Sequence, residues 1–138
     1  MNKKIVLISC VSKKLQYRAK AKDLYISTLF KFNLKYAKSL QPDAIYILSA
    51  KYGLLDMEQE IEQYEQKLNT MPAYEIKEWA HSALLQLVKV ASFDETEFIF
   101  LAGDKYRKYF LPHIKNTQIP LKGLGIGKQL QKLKELTT

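Results

Sequence analysis

Apolar residues in this chain fall into short continuous runs separated by longer stretches in which they recur every three or four positions. Lys4–Ile8 runs into Ser9-Cys10, Ala44–Leu48 into Ser49, and Phe98–Leu101 into Ala102-Gly103-Asp104. Runs of this length, rich in β-branched and aromatic residues, read as buried strands. They place strands near residues 3–9, 44–48 and 97–101. The spacing of Tyr25, Leu29, Phe32, Tyr36 and Leu40 predicts a helix over about 21–40 with those residues along one face. Pro72 suits a first helical turn and opens a second helix reaching about Ala91, with Trp79, Ala83, Leu84, Leu87, Val88 and Ala91 as its buried stripe. Between these segments, residues 56–71 are acidic and irregular, and predict a loop with a helical turn around Ile61–Leu68. Tyr106–His113 reads as a short amphipathic helix, Ile119-Pro120-Leu121 as an edge strand that tolerates proline, and Lys128–Leu136 as a terminal helix.

Strands alternating with helices predict an α/β fold: a single three-layer domain over residues 1–138, with a short, mainly parallel sheet flanked by helices. A chain of 138 residues is long enough to bury most of the surface it exposes when unfolded. No apolar run approaches the roughly 20 residues that span a bilayer, so a membrane partner is not expected. The one cysteine cannot form an internal disulfide and fits a reducing, cytoplasmic setting.

Charge changes the picture when it is divided along the chain. The net charge of +8 hides a segment 1–40 with ten Lys/Arg against Asp23 alone, a net acidic middle, and a basic segment 101–138. If the two basic segments share a face, that face attracts phosphate-bearing partners, nucleic acid above all. The plainer alternative is that exposed lysines keep the protein soluble.

Ligands of α/β proteins bind outside the carboxyl ends of strands, where loops vary without disturbing the sheet. Three loops qualify. In the first, Ser9, Cys10, Lys13 and Lys14 bring hydroxyl, thiol and ammonium groups together, suited to holding phosphate. Cationic neighbours also favour a Cys10 thiolate, although a cysteine after a strand commonly just packs. In the second, Ser49 to Asp56, Gly53 permits positive φ, Tyr52 offers a stacking face and a hydroxyl, and Lys51 can meet an anion or exchange a proton. Leu54 and Leu55 are expected to anchor that loop in the core, and Tyr64 to close over it. In the third, Gly103 serves a tight turn, Asp104 suits a helix N-cap, and Tyr106 faces either core or cleft.

Gly123-Leu124-Gly125-Ile126-Gly127-Lys128 matches neither the Walker loop nor the dinucleotide fingerprint. A turn around Gly125 that opens a helix can still present N–H groups to an anion, or can simply pack closely. His81 and His113 complete no metal motif, and no cofactor motif is present, so neither a metal nor a cofactor is expected.

Taken in order, Cys10…Lys13-Lys14, Asp23-Leu24-Tyr25-Ile26-Ser27…Phe30, Ile47-Leu48-Ser49-Ala50-Lys51-Tyr52-Gly53-Leu54-Leu55, Ile61…Tyr64…Leu68, Leu101-Ala102-Gly103…Tyr106 and Pro120-Leu121…Gly123-Leu124-Gly125-Ile126-Gly127 resemble a bacterial and phage domain family of unknown function, DUF6884. Ser49-x-x-Tyr52-Gly53-Leu54-Leu55 with the later Tyr64 is locally similar to the peroxide stress protein YaaA family, which binds DNA. A more distant likeness is to the uracil-DNA-glycosylase-like domain of archaeosine synthase, without the water-activating and histidine motifs of true glycosylases. These resemblances imply an α/β domain that handles a nucleobase, a nucleotide or nucleic acid. The reading is a domain binding a base at the three-loop cleft, with Lys51 and Tyr52 as catalytic candidates for glycosidic-bond chemistry. The alternatives are an enzyme of small nucleotides or phosphosugars, and a non-catalytic interaction module in a stress or phage-defence system.

Overall fold

A computed structural model of the chain describes residues 3–9 and 14–137. Its central sheet has five strands: β1 (Lys3–Ser9), β3 (Ala44–Ser49), β4 (Gly53–Asp56), β6 (Thr96–Leu101) and β7 (Thr117–Gln118). They lie in the order β4-β3-β1-β6-β7, and β4 alone runs antiparallel to its neighbour. A separate antiparallel ribbon joins β2 (Ala19–Lys20) to β5 (Glu60–Ile61). The helices are α1 (Ala21–Leu24), α2 (Thr28–Ser39), α3 (Ala73–Val88), α4 (Asp104–Arg107) and α5 (Ile126–Leu136).

The sheet is covered on both faces, which is why its three longest strands are nearly continuous in apolar residues. Alternate residues of each strand enter opposite cores. Val6, Ile8, Ile47, Ile99 and Leu101 face the layer of α2 and α5, while Ile5, Leu7, Leu48, Phe98 and Phe100 face α3. Ser9 stands beside Leu48, and Ile8 stands beside Leu101, so the three parallel strands end at one edge. Strand β1 leads to β3 on one side and β6 to β7 on the other, placing a topological switch between the ends of β1 and β6.

Several expected elements take a different form. The helix expected over 21–40 breaks at Tyr25-Ile26 and restarts behind Ser27, whose hydroxyl accepts from the Phe30 N–H at 3.1 Å. Its buried stripe is Phe30, Asn33 and Ala37, one position round from the expected face; Leu29, Phe32, Tyr36 and Leu40 pack only at its margins. Residues 53–56, expected in a loop, form β4, because Leu54 and Leu55 alternate between the two cores and pair with Leu48 and Ile47. The helical turn expected at Ile61–Leu68 is instead the short strand β5, an irregular stretch, and a single 3-10 turn at Leu68–Thr70. Helix α3 buries Ile76, Ala80, Ala83 and Leu87 and leaves Val88 exposed. The segment 106–113 splits into α4 and a 3-10 turn at Leu111–His113, and the edge strand is Thr117–Gln118 rather than 119–121.

The ribbon explains how the acidic run is used. Glu58 pairs with Lys20 and Lys22 at 3.0 Å, and Glu62 with Arg18 at 3.7 Å. Backbone bonds from Ala21 and Lys22 to Gln59 and Met57 fix the same register. Hydrogen bonds from Lys22 and Lys20 hold the Glu58 carboxyl below the usual carboxylate range, and the bond to Glu58 raises Lys20. Tyr64, three residues past β5, is thereby delivered onto Tyr25.

Candidate functional site

Strand β3 ends at Ser49, which is wholly buried and joins both cores. Its hydroxyl donates to the Tyr64 hydroxyl at 2.8 Å and accepts from the backbone N–H groups of Tyr52 at 3.1 Å and Lys51 at 3.3 Å. Its carbonyl accepts from the Trp79 indole N–H at 2.7 Å. Tyr64 in turn shares a 2.6 Å hydroxyl–hydroxyl bond with Tyr25. Three buried hydroxyls thus satisfy one another, as groups removed from water must. The 15-residue gap between Ser49 and Tyr64 closes in one hydrogen bond.

That network fixes a three-residue turn, Ala50-Lys51-Tyr52, between paired Ser49 and Gly53. Gly53 has φ +76°, and a Cβ there would run into the Gln86 side chain. Gln86 explains the crowding: its oxygen accepts from the Leu54 N–H at 2.9 Å and its amide donates to the Tyr52 carbonyl at 3.3 Å. Ala50 is buried, Lys51 exposed and Tyr52 half-buried, so the turn offers a cation and an aromatic face to solvent. The Lys51 ammonium lies 5.3 Å from the Tyr52 ring centroid, and Tyr52 meets Tyr64 edge-on at 5.6 Å.

An open groove of about 510 Å³ lies between this turn and α3. Lys51 and Tyr52 form one wall, with Glu75, Glu78, Trp79 and Gln86 from α3 opposite. A second, more enclosed cavity of about 240 Å³ lies past the end of β6, where Gly103, Asp104 and Arg107 meet Leu121, Gly123 and Gln129. The Arg107 guanidinium is already engaged there with the Ala102 carbonyl at 2.6 Å.

The expected site residues divide accordingly. Ser49, Lys51, Tyr52, Gly53 and Tyr64 come together at the turn, with the Lys14 ammonium 4.6 Å from the Tyr64 ring centroid. Ser49 and Tyr64 lie beneath that surface, at 0% and 4% exposure. Ser9 ends β1 at the same sheet edge, while Cys10 and Lys13 lie outside the described residues. Gly103 lines the smaller cavity and, rather than Asp104, caps α4. Tyr106 is half-buried and packs edge-on against Trp79 at 5.5 Å. Gly125 is the exposed N-cap of α5, next to the cavity-lining Leu124. Leu55 is buried as expected, whereas Leu54 is only half-buried.

Five groove or network residues carry no direct sequence signal for this role. Tyr25 and Trp79 read as apolar stripe members, although each uses its polar atom here. Gln86, Glu75 and Glu78 lie outside the expected buried stripe of their helix. Among the described residues, no group of three His, Cys, Asp or Glu is placed to hold a metal ion. Nor is any described helix long and apolar enough to cross a membrane.

The family of unknown function DUF6884 matches residues 5–135. The chain belongs to this family. No curated protein and no solved structure matches. The DUF6884 match runs from β1 into the last turn of α5, so the turn, the groove and both helical layers fall inside it.

Proposed function

We propose that this DUF6884 domain is nucleic-acid-associated and binds a nucleobase or nucleotide in the groove between the Ala50–Tyr52 turn and α3. The observation that carries the reading is the make-up of that groove: an aromatic face, a mobile cation and two carboxylates within about 510 Å³ at the carboxyl edge of a parallel sheet. The base stacks on Tyr52, a sequence-tolerant contact worth about 1–3 kcal/mol per base. The Lys51 ammonium, on its flexible stem, leaves the Tyr52 ring to meet a phosphate. Glu75 and Glu78 accept hydrogen bonds from sugar hydroxyls or exocyclic amino groups. Ser49, Tyr64 and Gln86 act as positioning residues that hold the turn. The local likeness of Ser49-x-x-Tyr52-Gly53-Leu54-Leu55 and Tyr64 to a DNA-binding family supports the same reading.

Calorimetric titration with nucleoside monophosphates and short single strands tests it. Lys51→Met removes the ammonium and weakens phosphate-bearing ligands, whereas Tyr52→Phe keeps the ring and retains most of the affinity; Tyr52→Ala loses it. Equal affinity in Lys51→Met, Tyr52→Ala and the unaltered protein contradicts the reading. Any chemistry on the glycosidic bond falls to Lys51 and Tyr52. Chromatographic detection of released base, abolished in Lys51→Met or Tyr52→Phe while binding persists, marks an enzyme; binding without release marks a recognition module.

A further inference from the structure

The two basic segments of the chain meet in one layer. Helix α2, from the amino-terminal segment, packs against α5, from the carboxyl-terminal one, on the sheet face opposite α3. Helix α2 buries Phe30, Asn33 and Ala37 and exposes Lys31, Lys35 and Lys38. Those lysines recur at intervals of four and three, so they form a stripe about 10 Å long at 1.5 Å rise per residue. Helix α5 exposes Lys128 and Lys134, the latter with its ammonium 5.9 Å from the Phe32 ring centroid of α2. Glu135 is the one carboxylate on either helix. The ion pairs among the described residues involve none of these five lysines.

We propose that the α2/α5 face docks the phosphate backbone of a nucleic-acid duplex without reading its sequence. The proposal takes its class of partner from the reading of the groove, but it concerns a separate surface on the other side of the sheet. The α2 stripe, with Lys134 of α5 beside it, sets four ammonium groups that enter no ion pair among the described residues on a rigid two-helix platform, and these complement the duplex, which carries one phosphate charge per about 1.7 Å of axis. The residues are all lysine, suited to point-charge contact rather than the bidentate base readout of arginine. An anionic bilayer fits less well. Interfacial helices insert a continuous apolar face; the apolar face of α2 is already spent on the core, and the exposed Ile126 and Leu136 stand at opposite ends of α5.

The test is fluorescence anisotropy of the full chain with a labelled duplex of about 20 base pairs across a salt series from about 50 to 200 mM. Four phosphate contacts, from Lys31, Lys35, Lys38 and Lys134, predict a log–log salt slope of about −3.6. Combining Lys31→Gln, Lys35→Gln and Lys38→Gln reduces the slope by about 2.7 and the affinity at 100 mM salt by about 100-fold or more. Combining Lys3→Gln, Lys77→Gln and Lys89→Gln, which removes equal charge from other faces, leaves the slope near its original value. An unchanged slope in the α2 triple variant overturns the proposal, as does an equal loss in the control triple. Tighter lysine-dependent binding to phosphatidylserine vesicles or to polyglutamate than to the duplex also overturns it. Mononucleotide binding in the groove is unaffected by the α2 triple variant. Should mononucleotides fail to bind while the duplex slope responds as described, the groove reading fails and the docking face stands. Should they bind while the slope ignores the α2 lysines, the docking face fails and the groove stands.

Discussion

The two helical layers cover the same sheet and differ on both of their surfaces. Inward, α2 brings Phe30 against the small and branched side chains of Val6, Ile8 and Ile47. Helix α3 instead brings Ala80 and Ala83 against the bulky Phe98, Phe100 and Phe110. Outward, α2 and α5 present lysines with Glu135 as their one carboxylate and the apolar Ile126 and Leu136 at the two ends of α5, whereas α3 presents Glu75, Glu78 and Lys77 with the apolar Leu85 and Val88. A sheet with opposite alternations can therefore carry two electrostatic surfaces in one small domain. Ser49 stands where they meet, with its hydroxyl in the Tyr25–Tyr64 cluster and its carbonyl on Trp79. The turn that displays Lys51 and Tyr52 depends on both layers at once.

The largest expected effects separate the cores from the turn. Phe100→Ala, on the α3 side, and Leu55→Ala, on the α2 side, each destabilise by about 2–5 kcal/mol, measured by urea unfolding. Leu54→Ala costs less, because that side chain is only half-buried. Equal losses at Leu54 and Leu55 would erase the distinction between a strand alternating into two cores and a loose loop.

Next comes the junction. Tyr64→Phe deletes the hydroxyl that Ser49 donates to and leaves buried polar partners unsatisfied, costing about 1–3 kcal/mol. It also loosens the turn, so nucleotide affinity falls although residue 64 touches no ligand. Gly53→Ala, at φ +76° and against Gln86, costs more than about 1 kcal/mol. Lys51→Met, by contrast, changes stability by less than about 0.5 kcal/mol and weakens nucleotide binding about tenfold or more. A melting loss in Lys51→Met as large as in Tyr64→Phe would make the turn a structural element alone.

The smallest effect belongs to the ribbon. The Glu58 carboxyl is held below its ordinary range by Lys22 and Lys20, so its contribution is present above its unfolded-state pKa. It disappears as pH falls through the lower folded-state value. The raised Lys20 acts in the opposite sense: its contribution holds below its unfolded-state pKa and disappears as pH rises through the folded value. Both side chains are at least half exposed, so the effect is small and fades with salt. Unfolding midpoints of Glu58→Gln and the unaltered protein converge at acid pH and differ slightly at neutral pH.

The strands and layers were legible because burial on both faces forces continuous apolar runs, and Ile5–Ile8 and Phe98–Leu101 contain nothing else. That a loop follows Ser49 was equally plain, since Ser49 and Gly53 interrupt such a run, but its expected extent to Asp56 was too long. The strand pairing of Leu54 and Leu55 was hidden because two leucines after a glycine fit a loop anchor as well as an edge strand. The break at Tyr25 was hidden because helical periodicity continues across it; the long-range bonds to Lys14 and Tyr64 decide it. Glu58 and Glu62 gave only an acidic, irregular stretch because their partners, Arg18, Lys20 and Lys22, lie some forty residues earlier. Gln86 and Trp79 are long-range choices too, made by the fold rather than by local pattern.

Trp79 gives the most direct test of the groove, because it is the only tryptophan in the chain and forms part of the groove wall. Its fluorescence is followed while nucleoside monophosphates and free bases are titrated into the full chain. A saturable change in emission is expected, retained in the α2 lysine triple variant, weakened in Lys51→Met for the phosphate-bearing ligands, and absent in Tyr52→Ala. A Trp79 signal indifferent to every base and nucleotide, or a saturable change that survives intact in Tyr52→Ala, would contradict the groove reading.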